Sequence, residues 1–388
     1  MTPRERFNTV MDFKEPDKLP WVEWIWVDAV LTWLNRYIDP GEVTKVYPGR
    51  PSYKFLVNTP RPVYTEDIDV YSYFGCMKVV GLVDPIDKGP IPRVVMKQLE
   101  NTEKYVEWRA DTGVVMRLSR HSPHSWYSMP QYLSWPVKDR KSWGKYKKLF
   151  DPKDVRRYSK DWNKNEYIER FKEYSEGPTR VMFNGLFGFG AQIMGLEKFT
   201  LLFYENPDLV NEMADFWESF TIEMLTPFLD ACGEYVDSTW WWEDMAENHG
   251  PFISPRLFEK FLMPHYKSVA KFLRQKGVKH IMVDSDGQIN ALLDLFVEVG
   301  VDSFWPLEVS ANMDAAKIRE RYGDKIRLLG NLDKRKLRLG GVTMKKEVDR
   351  GIAVAKQLGG YIPGCDHVVA DFTYPAFKEY ADYMKKKL

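Results

Sequence analysis

The sequence has few cysteines and no long apolar run. Cys76, Cys232 and Cys365 are the only cysteines in 388 residues, and they form no C-x-x-C motif, which favours a reducing compartment and excludes a disulfide framework. A formal net charge of +1 provides no field that would attract nucleic acid or an anionic membrane. No apolar run approaches the ~18 residues of a membrane span, and the N-terminal residues lack the apolar segment of a signal peptide. We therefore expect a cytoplasmic protein that binds neither nucleic acid nor membrane.

Aromatic residues, in contrast, are abundant. They make up 15% of the chain, including 14 Trp, and such side chains often line concave sites for small molecules. The densest stretch is "STWWWEDMAENHG" at 238–250, where three tryptophans precede Glu243 and Asp244. Side chains alternate between the two faces of a strand. We expect Trp241 to pack in the core and Trp242 to form a wall of a site.

The spacing of apolar segments predicts the fold class. After residue 178, short apolar strands alternate with helices, a pattern typical of parallel βαβ units. The predicted strands are 19–27, 179–185, 234–242, 279–284, 301–307, 325–331 and 359–364. The predicted helices are 3–12, 28–37, 193–204, 207–230, 254–276, 288–298, 312–322, 342–358 and 373–386. We expect an α/β fold of the (β/α)8 TIM-barrel type, with an open doubly wound sheet as the alternative.

The N-terminal part of the chain is less regular. Residues from about 40 to 178 are interpreted as a long insertion of irregular and β-hairpin structure in a single barrel domain that spans 1–388. The segments "YKFLVNTPRPVY" and "EKYVEWRADTGVVMRL" are its predicted hairpin strands.

Polar residues follow every predicted strand after residue 178. In a barrel, the carboxyl ends of the strands form the active face. The residues at these ends are Asn184; Trp242, Glu243 and Asp244; Asp284, Ser285 and Asp286; Trp305 and Glu308; Asn331 and Asp333; and Cys365, Asp366 and His367. Asp and Asn are also common helix caps, an interpretation that stays open for Asp286 and Asp333. The recurrence at each strand end nevertheless predicts a functional site.

Some of these residues have side chains that bind zinc. A thiolate, an imidazole and carboxylates are typical ligands, and we take Glu243, Asp284, Cys365 and His367 as candidates. Two alternatives stay open: His367 could hydrogen-bond a neighbouring or substrate carboxylate, and Cys365 could be an inert buried thiol. The segment "GLFGFGAQIMG" does not complete G-x-G-x-x-G, because Ile193 occupies the position of the third glycine.

The C-terminal half resembles a known superfamily. The segments "GPFISPRLFEKFLMPHYKSVAKFLRQKGVKHIMVDSDGQINALLDLFVEVGVDSFWPLEVSANMD", "IRERYGDKIRLLGNLDKRKL" and "GGYIPGCDHVV" resemble the uroporphyrinogen decarboxylase-like superfamily. The resemblance is good from about residue 180 to the end, weaker over 1–40, and not recognisable over 40–178. It implies a (β/α)8 barrel. The decarboxylase branch has an arginine-rich motif after its first strand, whereas "LPWVEWIWVDAVLTWLN" contains no arginine.

The other branch is the cobalamin-dependent methyltransferases. They transfer methyl groups from methanol, methylamines, thiols or methoxylated aromatics to or from a corrinoid carrier. Zinc-dependent members have a His-x-Cys motif after one strand and a cysteine near the C-terminus. Here "DSD" stands at the first position, and only Cys365 matches a thiolate ligand. The resemblance therefore implies a subgroup in which carboxylates and histidine replace thiolates.

These observations together predict a corrinoid-dependent methyltransferase of the O-demethylase type. It would demethylate a small methylated substrate, foremost a methoxylated aromatic, and pass the methyl group to a separate corrinoid (cobalamin) protein, with zinc as a further candidate cofactor. Crowded carboxylates raise one another's pKa, so Glu243, Asp284 and Asp286 are the predicted catalytic residues. The predicted substrate-binding residues are Asn184, Phe187, Trp242, Trp305, Glu308 and Asp366.

Two other functions stay open from the sequence. One is a decarboxylase, of the uroporphyrinogen decarboxylase type or acting on a smaller acid, with Arg36, Arg61 or Arg120 as the cationic clamp. The other is a non-catalytic ligand-binding barrel. The sequence also leaves a homo-oligomer open.

Overall fold

The chain folds around a nine-stranded parallel sheet. The computed structural model describes residues 1–34, 36–39, 43–45, 67–119, 130–158 and 163–388. The strands are β1 Val22–Glu23, β2 Met77–Lys78, β3 Leu82–Val83, β4 Thr179–Asn184, β5 Ser238–Trp242, β6 Met282–Asp284, β7 Ser303–Trp305, β8 Arg327–Leu332 and β9 Tyr361–Cys365. Their spatial order is β2-β1-β9-β8-β7-β6-β5-β4-β3, and every neighbouring pair is parallel. The order from β4 to β9 lacks the reversal of a doubly wound sheet.

The two edges of this curled sheet are consecutive parts of one segment. Strands β2 and β3 are separated by residues 79–81 alone, yet β2 pairs with β1 and β3 pairs with β4. Gly81 has a φ of +64°, and a Cβ there would overlap the carbonyl oxygen of Pro178, so glycine is required at this crossing. Residues 77–83 lie within the predicted insertion, where the sequence analysis assigned no barrel strand. The predicted α/β class and the parallel strands after residue 178 are confirmed.

Helices surround the sheet. They are α1 Pro3–Met11, α2 Val27–Trp33, α3 Val70–Phe74, α4 Arg140–Tyr146, α5 Lys164–Glu173, α6 Leu186–Met194, α7 Leu196–Glu205, α8 Pro207–Cys232, α9 Met263–Gln275, α10 Leu293–Val299, α11 Ala315–Tyr322, α12 Lys334–Leu339, α13 Gly341–Leu358 and α14 Tyr374–Lys387. Helix α9 continues from the turns Pro255–Leu257 and Phe258–Leu262. The predicted helix 193–204 is two helices, because Gly195 has a φ of +88° and ends α6.

The described helices include no membrane span. None of them, taken singly, is long and apolar enough to cross a bilayer. Helices α6 and α7 satisfy the criterion only when they are counted together, and they meet at a bend of 110°.

Side chains of the strands alternate between two layers. Val22, Trp240, Met282, Leu329 and Ile362 belong to an inner cluster, enclosed by the sheet and including residues of α1. The intervening residues of each strand belong to outer clusters, where they pack against the helices. This alternation decides which residues at the strand ends can reach a common site.

A separate antiparallel sheet, here called the insertion sheet, lies within the predicted insertion. Its strands are Lys97–Asn101, Tyr105–Arg109, Val115–Ser119 and Gln131–Ser134, paired in chain order. The hairpin predicted in "EKYVEWRADTGVVMRL" is confirmed. The hairpin predicted in "YKFLVNTPRPVY" lies outside the described residues.

Candidate functional site

Four predicted site residues form one row across the sheet. Asn184, Trp242, Asp284 and Trp305 are register partners on the adjacent strands β4 to β7. Register partners on parallel strands share a face, and Trp242 and Trp305 both pack with the inner cluster. The row therefore lies at the carboxyl ends of the strands, on the inner side of the sheet.

Asp284 of this row lies close to two further aspartates. One carboxylate oxygen each from Asp244, Asp284 and Asp286 lies within 4.8 Å of the others. Asp284 is only 2% exposed, whereas Asp244 and Asp286 are partly exposed. We call these three residues the acid cluster. Its carboxylates run from the solvent at Asp286 to a buried position at Asp284.

Burial and repulsion keep protons in the acid cluster. Burial, followed by the charge of Asp286, raises the pKa of Asp244 to about 7. Burial, followed by the charges of both neighbours, raises the pKa of Asp284 well above its usual range. The indole N–H of Trp240 donates to Asp284, which opposes the rise without reversing it. The cluster therefore holds at least one proton near neutral pH.

His367 lies at the solvent side of the acid cluster. Its Nε2 is 2.8 Å from Oδ2 of Asp286, and both side chains are partly exposed. Burial favours the neutral ring, but the hydrogen bond and the charge of Asp286 outweigh it and raise the pKa of His367. The backbone N–H of Asp286 also donates to Oδ1 of Asp244 at 3.3 Å. The pair thus connects solvent with the buried carboxylates.

Glu243, predicted as catalytic and as a zinc ligand, does not join the acid cluster. It accepts hydrogen bonds from the indole of Trp241 at 2.6 Å and from the backbone N–H of Gly188 at 3.0 Å. Because Trp242 faces inward, the next residue faces the helices. The chain then leaves the strand at Asp244, which has a φ of +44° and belongs to the acid cluster. Burial raises the pKa of Glu243 to about 7. Its contacts hold β5 against α6.

The predicted zinc set is not brought together. Cys365 is 2% exposed and packs in an outer cluster, on the face of β9 that points toward the helices. Burial, followed by the charge of Glu23, raises the pKa of Cys365 well above its usual value, which favours the thiol over the metal-binding thiolate. With Glu243 also facing outward, this ligand set does not fit zinc, and we derive no step through that metal.

Two predicted substrate-binding residues have structural contacts. Phe187 is fully buried and packs with Phe199 and Phe252 among the helices, so its contact with substrate stays a prediction. Asp366 accepts from the backbone N–H groups of Val309 and Lys334, both at 2.9 Å, and burial raises its pKa to about 6.

Glu308, which follows the end of β7, contacts the loop beside the acid cluster. Its Oε2 accepts from the backbone N–H of Gly287 at 2.8 Å. It therefore fixes the loop that carries Asp286.

Tryptophans form the floor below the acid cluster. The rings of Trp24, Trp240 and Trp305 lie 5.1 to 5.4 Å apart. Trp305 is 4% exposed and therefore belongs to this floor and not to an open wall. Trp242 stays partly exposed beside Gly188, where a Cβ would come 2.8 Å from its ring. Trp242 is thus the aromatic wall among the row residues.

Asn184 is the polar end of the row. It is partly exposed, and its side-chain amide donates to Oε1 of Gln192 at 2.7 Å. It remains available at the open side of the site.

A buried arginine that the sequence analysis did not single out lies beneath the floor. Arg180 donates to the carbonyl oxygens of Val79 and Thr239, and its guanidinium lies 5.4 Å from the ring centre of Trp240. One terminal nitrogen has no hydrogen-bond partner among the described residues. Burial lowers the pKa of Arg180 to about 9, so it stays charged at neutral pH and partly compensates Asp284. Its signal in the sequence is a cation inside the apolar strand "TRVMFNG".

Polar side chains gathered at the carboxyl ends of a curled parallel sheet define an α/β enzyme of the barrel type. The family model described as uroporphyrinogen decarboxylase (URO-D) matches residues 147–376, more than half of the chain. The chain belongs to this family. The predicted resemblance is confirmed.

The solved structure of a methyltransferase supports the fold. A methyltransferase from Methanosarcina mazei matches with a TM-score of 0.60 and 15% identity, over 100% of this chain and 99% of that chain. A B12-independent methionine synthase from Shewanella sp. W3-18-1, solved with selenomethionine, matches with a TM-score of 0.32 and 12% identity, over 57% of this chain and 65% of that chain. A sugar phosphate isomerase/epimerase from Parabacteroides distasonis also has a TM-score of 0.32, with 11% identity over 57% of this chain and 81% of that chain. No curated protein matches the sequence.

Proposed function

We propose that the protein is a methyltransferase that demethylates a methoxylated aromatic compound and passes the methyl group to a separate corrinoid protein. The observation that carries the proposal is the acid cluster, beside the aromatic wall Trp242 and above the tryptophan floor, where burial raises the pKa of Asp284. The M. mazei protein of the same fold is itself called a methyltransferase, which adds support.

The chemistry requires a proton at the leaving oxygen. The bond between the ether oxygen and the methyl carbon breaks, and its electron pair stays on the oxygen. The reduced corrinoid of the partner supplies the nucleophile that accepts the methyl group. A proton from Asp284, the deepest carboxyl group of the acid cluster, converts the leaving aryl oxide into a phenol, and such general-acid catalysis contributes about 10²- to 10⁴-fold.

The remaining residues orient the substrate and restore the proton. Trp242 offers a ring face on which an aromatic substrate stacks, while the tryptophan floor limits its depth. The ether oxygen is then directed toward the acid cluster. Each transfer consumes one proton. His367 contacts the carboxylate of Asp286, which lies within 4.8 Å of the carboxyl groups of Asp244 and Asp284 and can pass a proton to them. The pair of His367 and Asp286 is the proposed route for reprotonation.

The acid cluster argues against a decarboxylase. A carboxylate substrate needs cations that bind it, whereas this site presents three carboxylates. Of the three arginines considered from the sequence, Arg36 is exposed and lies over the ring of Tyr37, and Arg61 and Arg120 fall outside the described residues. A methyl aryl ether carries no negative charge, so the three carboxylates do not repel it.

The test combines the purified protein with a reduced corrinoid protein and a panel of methoxyphenols. We expect a corrinoid absorbance change and formation of the demethylated phenol in equal amounts. Omitting either the methoxyphenol or the protein should abolish both signals. Release of CO2 from a carboxylic acid, with no phenol formed from any methyl donor, would overturn the proposal. If the protein contains a stoichiometric metal ion and its removal abolishes transfer, the acid that acts on the leaving oxygen is that metal ion and not a proton.

The pH dependence of transfer should report the ionisation of Asp244. Ionised Asp244 repels the charge that develops on the aryl oxide and makes the donor Asp284 a weaker acid, so the transfer rate should be constant below pH 7 and fall above it, as Asp244 ionises with a pKa of about 7. Single-turnover rates between pH 5.5 and 9 measure this limb.

Glu243→Gln is the matched control for the pH limb. Glu243 also has a pKa raised to about 7 but faces away from the site, so its loss should leave the limb in place. Disappearance of the limb in this variant, with persistence in Asp244→Asn, would contradict the assignment.

A further inference from the structure

Strand β1 ends in a tryptophan that the sequence analysis did not assign to the site. Val22 and Trp24 both pack with the inner cluster. Glu23, between them, faces the helices, where it accepts from the hydroxyl of Tyr380 at 2.6 Å. The backbone N–H of Val369, which follows β9, donates to the carbonyl oxygen of Trp24 at 2.8 Å. Trp24 is therefore an inward-facing residue at the carboxyl end of β1, the end of the sheet at which the acid cluster lies.

The ring of Trp24 reaches across the inside of the curled sheet. It lies 5.4 Å from the ring of Trp305 and 5.3 Å from the ring of Trp240. Strands β9 and β8 separate β1 from β7, the strand of Trp305, so this contact crosses the interior. Trp305 is the register partner of Asp284. One ring thus separates Trp24 from the strand position of the deepest carboxyl group.

Trp24 is the open member of the tryptophan floor. Trp240 and Trp305 are 1% and 4% exposed, whereas Trp24 is partly exposed. The space below the floor is closed by helix α1, because the guanidinium of Arg180 lies 5.4 Å from the ring centre of Trp240 and 5.5 Å from that of Phe7, which is fully buried. The exposed part of Trp24 therefore faces the opening at the carboxyl ends of the strands.

Apolar residues continue from Trp24 along one side of this opening. They are partly exposed, pack against the inner cluster and come from neighbouring parts of the curled sheet: the segment after β9, the end of β1, the crossing between β2 and β3, and β4. In that order they are Ala370, Trp24 and Trp26, Val80, and Met182. The acid cluster comes from the ends of β5 and β6. The opening thus has an apolar side and an acidic side.

We propose that Trp24 is a substrate-contact residue, whose open ring surface binds the aromatic ring of the methyl donor with the ether oxygen on the acidic side of the opening. The inference rests on the proposed function and deepens it, because it makes the end of β1 a determinant of which donors bind. An aromatic ring gains from stacked or edge contacts with an indole, whereas a saturated ring of the same size gains only apolar contact. Trp24 thus selects aromatic donors over their saturated analogues.

The test compares the binding of 2-methoxyphenol and of its saturated analogue 2-methoxycyclohexanol by calorimetry, without the corrinoid protein. The unaltered protein should bind the aromatic compound more tightly. In Trp24→Leu, we expect binding of 2-methoxyphenol to weaken about 3- to 10-fold and binding of 2-methoxycyclohexanol to change less than about twofold. Trp24→Phe keeps an aromatic ring and should retain most of the preference.

Trp21→Leu is the matched control from the same segment. Trp21 faces the helices, where its ring packs 5.3 Å from that of Tyr380 and its N–H donates to the carbonyl oxygen of Gly75 at 3.0 Å. Its replacement should lower the unfolding temperature and leave the preference for 2-methoxyphenol unchanged. Trp21→Phe, which keeps a ring, takes its place if Trp21→Leu does not fold.

The outcomes separate this inference from the proposed function. Equal weakening of both compounds in Trp24→Leu, no weakening of either, or no binding of 2-methoxyphenol by the unaltered protein would overturn the inference. Demethylation of 2-methoxyphenol with an unchanged KM in Trp24→Leu would also overturn it and leave the proposed function standing. A preference that depends on Trp24, without methyl transfer from any methoxyphenol, would overturn the proposed function and leave the inference standing.

A second measurement does not depend on the folding of a variant. A crystal structure of the unaltered protein with bound 2-methoxyphenol should show the ring of the compound in contact with Trp24. A ring bound away from Trp24 would overturn the inference.

Discussion

Replacing Asp284 with Asn is expected to lower the rate of methyl transfer by about 10²- to 10⁴-fold, the usual contribution of a general acid. Asn has the shape of Asp but no proton to give to an aryl oxide. Asp284 is in register with Trp242 and Trp305, and it is the deepest carboxylate of the acid cluster. Single-turnover formation of the demethylated phenol measures the rate, and calorimetry measures whether the substrate still binds.

The same variant should be at least as stable as the original protein. The pKa of Asp284 is raised in the folded state by burial and by the neighbouring charges. An acid with a raised folded pKa loses stability as the pH rises above its unfolded value near 3.8, because the folded state resists ionisation. Asn removes this cost, so thermal unfolding at pH 8 should occur at an equal or higher temperature than for the unaltered protein.

Glu243→Gln is the matched control, and it should show the opposite pattern. Its carboxylate accepts from Trp241 and Gly188 in the helical layer. The amide cannot repeat both contacts, so the free energy of unfolding should fall by about 1–3 kcal/mol, with transfer changed only a few-fold. Loss of transfer in this variant at full stability, with Asp284→Asn active, would contradict the assignment of the acid.

Trp241→Ala is expected to destabilise the protein by about 3–5 kcal/mol, the range for removing a buried large aromatic side chain. The ring is fully buried, packs 4.9 Å from Tyr266 and 5.7 Å from Trp217, and its N–H donates to Glu243. Removing it leaves a cavity and takes the indole donor away from Oε1 of the buried Glu243. Urea unfolding followed by circular dichroism measures the loss.

Trp242→Ala is the neighbouring control. The ring is partly exposed at the site, so its removal should cost less stability and should weaken binding of the aromatic substrate. The comparison relies on two adjacent tryptophans of one strand that face opposite sides. Equal losses of stability in the two variants would show that both rings are structural, and would remove Trp242 as a wall of the site.

Much of the fold could be predicted because the strands after residue 178 are apolar, short and regularly separated by helices. Strands β2 and β3 could not, since each has only two residues and they lie in an irregular region. They become strands because the chain at 77–83 fits between β1 and β4, whose paired residues lie 55 positions before β2 and 97 positions after β3.

Part of the site could also be predicted from the sequence, and part could not. The row of Asn184, Trp242, Asp284 and Trp305 could be predicted because each stands at the end of an apolar strand. The sequence analysis chose Glu243 and not Asp244 for the site, although alternation along the strand already directs Glu243 outward once Trp242 faces inward. The same alternation directs Cys365 away from the site.

The sequence by itself determined the class of fold, the family and the polar strand ends, because these depend on local periodicity and on motifs. Only the tertiary structure decided which carboxylates meet and that Arg180 lies below them. Those placements depend on register between strands and on distant contacts such as the hydrogen bond of Arg180 with the carbonyl oxygen of Val79. The local sequence does not determine strand register or distant contacts, since the same residues could pair with other partners in another fold.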